Sequence, residues 1–132
     1  MKTLLMYIVT LPLLFLIDLF WLGVISKKIY AQYLGPIMRD PIVFPAAILF
    51  YLFYGAGLMY FAIMPAVAAD SWMLALGNGA LFGFMCYMTY DLTNWAVLKN
   101  WAWQIVPIDI VWGTILSGAV AVIVFFITKA FA

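Results

Sequence analysis

Three of the five acidic residues in the chain, Asp18, Asp91 and Asp109, lie inside long apolar runs, and each is followed within one helical turn by a tryptophan: Trp21, Trp95 and Trp112. An ionisable side chain held at membrane depth is costly unless it is paired or used, so such residues mark functional sites by default. The chemistry open to a carboxylate there is proton exchange, or the binding of a cation or a hydrogen-bond donor. At a spacing of i to i+3 or i+4 the acid and the indole share a helix face. The indole N–H is then expected to donate to the carboxylate, or its ring to stack on a cation drawn to it.

Further polar residues gather at the same depth. Tyr90, Asp91 and Asn94 share one short window with Thr89 and Thr93, and Lys99 follows; Tyr51 and Tyr54 stand one turn apart in an earlier apolar run. The expected site for ligand binding or proton exchange consists of Asp18, Asp91, Asp109, Asn94, Tyr90, Tyr54, Trp21, Trp112 and Lys99. Carboxylates would form its base, with amide and hydroxyl groups around them and aromatic walls, the usual build of a small-ligand site between helices. Bland readings stand beside this one. Asp109 follows Pro107 closely and could be a first-turn acid favoured by the helix dipole. Asp91 could pair with Lys99, Asn94 could be interhelical glue, and the tryptophans could be interface anchors.

The elements that must position these residues follow from composition. With 70% hydrophobic and 8% charged residues and a mean hydropathy of +1.18, a chain of this length requires lipid around it. The formal charge of +1 and the lack of a dense basic cluster give no reason to expect a nucleic-acid partner. Histidine and glutamate are absent and Cys86 is the single cysteine. That removes His-ligated haem or zinc, His-based acid/base schemes and an intramolecular disulfide, and no cofactor or metal is expected.

Four segments are long and apolar enough for spans of about 20 residues: residues 3–26, 42–64, 72–98 and 105–128. The expected fold is all-α: one integral membrane domain over residues 1–132, with four transmembrane helices in an antiparallel bundle. The apolar amino-terminal run continues past Asp18 without a small-residue cleavage site, so it is expected to be a retained span. Pro65 is expected to end the second span, Pro107 to sit in the first turn of the fourth, and Pro12 to bend the first.

Lys27, Lys28, Arg39 and Lys99 lie on one side, against Lys2 and Lys129 on the other. This bias is expected to put loops 27–41 and 99–104 in the cytoplasm and both termini outside. By the helical rise, Asp18 lies about 12 Å and Asp91 about 10 Å inside that face, with Asp109 entering from it. Gly79 and Gly83 form a G-x-x-x-G, and Gly113, Ser117 and Ala121 form a small-residue stripe. Both suit close contact within the chain, with a homodimer as the alternative use.

The run Tyr90-Asp91-Leu92-Thr93-Asn94, then Leu98-Lys99, Trp101 and Asp109-Ile110-Val111-Trp112-Gly113, is preceded by Asp18-Leu19-Phe20-Trp21-Leu22-Gly23 and a Tyr-x-x-x-Leu-Gly loop from Tyr30 to Gly35. Together these resemble a bacterial family of predicted membrane proteins catalogued as domain of unknown function 2177. The resemblance implies a multi-span membrane fold and no particular activity. Three functions stay open: binding or moving a small molecule or cation, an enzyme acting on a lipid, and an accessory subunit whose polar layer only sets helix register. The first fits intramembrane acids best. The second lacks a nucleophile-base pair or phosphate loop.

Overall fold

Proline and serine set the helix starts. Pro45 and Pro107 stand in first turns, where a missing N–H removes no bond, and the Ser71 hydroxyl accepts the Leu74 N–H at 3.1 Å as an N-cap. The computed structural model describes residues 2–39 and 41–131, so Asp40, within the expected first loop, lies outside them, as do Met1 and Ala132. The described chain is all-helical, without a strand. It comprises α1 (Lys2–Phe20, continuing as a wider π-turn over Trp21–Ile25), α2 (Lys27–Leu34), α3 (Phe44–Leu58, then a π-turn over Met59–Ile63), α4 (Met64–Ala69), α5 (Trp72–Val97) and α6 (Ile105–Phe131).

Three stretches, Lys2–Ile25, Phe44–Ala69 and Ile105–Phe131, are long and apolar enough to cross a membrane. Helix α5 has 26 residues, roughly 39 Å at the helical rise, and is more polar than the other three. Helix α1 continues through Pro12 without a break. Pro65 does not end its helix, contrary to expectation, because the helix is remade around it. Proline has no N–H to give the carbonyl four residues back, that of Phe61. The π-turn over Met59–Ile63 absorbs the misfit, and the Asn78 side-chain amide donates to the Phe61 carbonyl at 3.1 Å. The helical stretch therefore runs to Ala69, and the turn to α5 shrinks to Asp70 and Ser71, with Asp70 in the left-handed conformation at φ 52°.

The tightest contact in the fold is the seam between α5 and α6. A Cβ on Gly79 would lie 2.8 Å from both the Ala121 Cβ and the Ser117 carbonyl oxygen; one on Gly83 would strike the Gly113 carbonyl and the Ser117 side chain; one on Gly113 would enter the Tyr87 ring. As the α5 number rises the α6 number falls, so these two helices are antiparallel. The G-x-x-x-G and the small-residue stripe thus meet each other inside one chain.

Helix α3 behaves differently. It leans on α1, where Gly55 seats the Leu11 and Leu14 side chains, but along Phe44–Leu58 its backbone stands off from α5 and α6. The resulting wedge is bridged by aromatic side chains. Tyr54 packs near Phe82 and Tyr87 with centroids 5.1 and 6.3 Å away, and its hydroxyl shares a hydrogen bond with the Ser117 hydroxyl.

Replacing Gly83 by alanine should force the seam apart and lower stability by about 1–3 kcal/mol, the usual cost of overpacking. Gly77→Ala, where nothing lies within 4 Å of the added carbon, should be neutral or slightly stabilising. Reversible unfolding in bicelles measures both, and equal effects would contradict the seam.

Candidate functional site

The turn after α1 brings a loop residue over the bundle. Ser26 satisfies the Trp21 carbonyl twice, through its N–H at 2.8 Å and its hydroxyl at 2.9 Å. The chain then re-forms as α2 until Gly35 and Pro36 stop it. This stretch, expected to be a loop, is a short helix that directs Tyr30 onto α6. The Tyr30 hydroxyl donates to Asp109 Oδ1 and receives the Trp21 indole N–H at 3.4 Å. Burial first, and then the Asp109 carboxylate, push the Tyr30 hydroxyl well above the usual phenol range, so it remains a donor.

Asp18, Asp91 and Asp109 are all buried, with 6%, 0% and 8% of their surface exposed. Their circumstances differ. Asp18 accepts two hydrogen bonds, from the Tyr51 hydroxyl at 2.6 Å and the Trp112 indole N–H at 3.0 Å. Asp109 has the Tyr30 hydroxyl. Among the described residues, nothing donates to either carboxyl oxygen of Asp91. The antiparallel register of the α5–α6 seam sets the Asp109 carboxyl, another acceptor, beside it.

Each expected partner of an acid on its own helix is absent or exchanged. Trp112 serves Asp18 on α1, not Asp109 one turn before it; Trp21 serves Tyr30, not Asp18. The two indoles stack on each other with centroids 4.4 Å apart and planes 7° from parallel. Trp95 is half exposed and serves no acid. The reason is geometric: a residue one turn on shares a face, but a side chain on a packed neighbour approaches head-on. The expected tie between Asp91 and Lys99 is not made. Lys99 is exposed, and the ion pair found among the described residues, Lys129 to Asp70 at 2.8 Å, lies at the opposite end. Asp109 is the fifth residue of α6 and is buried against Tyr30, so a first-turn acid in water does not describe it.

The remaining expected site residues scatter. Tyr54 bonds Ser117 rather than a carboxylate. Tyr90 is 54% exposed and meets the edge of Trp101 with centroids 5.5 Å apart. Asn94 is half buried. Among the described residues no set of three acidic or thiol groups could hold a metal ion. Tyr30, Tyr51, Tyr87 and Ser117 were not among the expected site residues. Tyr51 had a signal, its one-turn spacing from Tyr54. Tyr30 had only its place in a loop, which gives no direction.

The fold and the site together define an all-helical membrane protein with buried carboxyl groups at one end. The chain belongs to a family of predicted membrane proteins, domain of unknown function 2177, whose model matches residues 3–126. No curated protein and no solved structure matches it.

Tyr30→Phe should leave Asp109 buried without its donor and cost about 1–3 kcal/mol of stability. Unfolding in bicelles reads this, and a change below about 0.5 kcal/mol, the range of ordinary surface substitutions, would contradict the assigned role.

Proposed function

We propose that the protein binds a small cation or cationic molecule at Asp91 and Asp109, in a single four-span antiparallel bundle of the bacterial inner membrane. Loops 27–41 and 99–104 face the cytoplasm and both termini lie outside. The excess of Lys27, Lys28, Arg39 and Lys99 over Lys2 and Lys129 supports that orientation. The length of α5 and its antiparallel seam with α6 support counting it as a span despite its polar residues.

One observation carries the binding reading: Asp91 is fully buried, has no donor among the described residues, and faces a second carboxyl. Two such groups cannot both be ionised in a low dielectric unless a positive charge or a proton stands between them. A protonated amine answers both needs, because it brings charge and N–H donors. Asp18 already has the Tyr51 hydroxyl and the Trp112 indole N–H as donors and needs no ligand. Trp21 reaches the pair through Tyr30, and Tyr90 and Asn94 adjoin Asp91 along α5, whereas Trp112 and Tyr54 are engaged by Asp18 and Ser117. Lys99, exposed and unpaired among the described residues, lies off the site.

Methylammonium should raise the unfolding temperature of the detergent-solubilised protein in a saturable way. At a hundred times its Kd the stabilisation would be about 2.7 kcal/mol. Asp91→Asn should abolish the effect, and a variant that responds as the wild type does would refute the assignment.

A further inference from the structure

The carboxyl pair is covered on the loop side, and a cavity open toward lipid lies at its depth along α5. Toward the loops, Tyr30 is bonded to Asp109, and Trp101 packs on Tyr90 with its indole nitrogen buried. Toward the lipid, the wedge between α3 and α5 holds a cavity of about 320 Å³, lined by Phe50, Tyr54, Cys86, Tyr87 and Tyr90. Phe50 and Tyr90 are both about half exposed, so the cavity opens between the helices to the surrounding hydrocarbon. Tyr87 and Tyr90 are close neighbours of Asp91 along α5, and the Tyr87 ring lies on Gly113, where a side chain would displace it. Two of the residues lining the cavity thus stand within one turn of the acid.

We infer that the site is entered sideways from the lipid through this wedge, and that its ligand is a single-chain amphiphile with a primary ammonium head. The inference rests on the cation-binding reading above. Its chemistry follows from the two surfaces. Asp91 lacks hydrogen-bond donors, which a primary ammonium supplies and a quaternary one does not. The cavity wall is aromatic, suited to a cation in passage and to a hydrocarbon chain at rest. Its volume falls at the small end of ligand pockets, roughly 300–1,000 Å³. That is room for a single chain.

The single cysteine, Cys86, lies in the cavity wall and is half buried, so the unaltered protein carries its own reporter. In liposomes, labelling of Cys86 by a lipid-soluble maleimide is followed with dodecylamine, dodecyltrimethylammonium or dodecanol present. Dodecylamine at ten times its half-saturating level should slow labelling about tenfold by simple occupancy. The quaternary and neutral analogues should slow it far less. In Asp91→Asn the unprotected rate should match the wild type, and protection by dodecylamine should vanish. Equal protection by dodecanol, or none by dodecylamine, overturns the proposal. The comparison of the three amphiphiles on the wild type stands even if the variant fails to fold. If methylammonium stabilises the protein but dodecylamine does not protect Cys86, sideways entry falls and the site survives. If neither acts, both readings fall.

Discussion

A shortage of hydrogen-bond donors around three buried carboxyl groups governs this structure. In hydrocarbon no water makes up the deficit, so every donor must come from the chain itself. Side-chain hydrogen bonds reach two of the groups: Tyr51 and Trp112 serve Asp18, and Tyr30 serves Asp109. Each donor comes from a different element than its acceptor, so satisfying the acids also fixes how α1, α2, α3 and α6 sit relative to one another. Asp91 is left over. A buried polar group without a partner is rare enough in native proteins to require a cause.

The packing explains how Asp91 reaches Asp109. The glycine seam lets α5 and α6 approach until their backbones touch, through Gly79 and Gly83 on one side and Gly113 and Ser117 on the other. Continued toward the loops, the same antiparallel register sets Asp91 of α5 beside Asp109 of α6. No comparable seam holds α3 to that pair. It is tied to α1, in part through Tyr51, and reaches across with Tyr54, leaving a wedge that opens toward lipid at the depth of the acids. Close contact on one side of α5 is thus matched by a gap on the other.

Much of this was legible in the residues. The apolar runs, the all-helical class, the family likeness and the small-residue seam follow from composition and spacing, because lipid imposes length and hydropathy on each span separately. The burial of Asp18, Asp91 and Asp109 was legible for the same reason. Which donor serves which acid was not. Spacing along one helix suggested that each tryptophan serves its own aspartate, whereas the side chains pair across helices, which depends on rotation and register that no single segment encodes. Pro65 was misread because the compensation came from elsewhere: Asn78, on another helix, supplies the bond that proline cannot. Tyr30 was missed because a tyrosine in a polar stretch points nowhere until the turn at Ser26 directs it.

The central claim is that Asp91 is completed by a ligand bearing N–H donors. Solid-state NMR on the protein in liposomes tests it most directly, with 15N-labelled methylammonium and 13C-labelled aspartate. Dipolar transfer from the amine nitrogen to the Asp91 carboxyl carbon, lost in Asp91→Asn, is the predicted result. Transfer confined to the exposed Asp70, or none to Asp91 under saturating amine, would contradict the account.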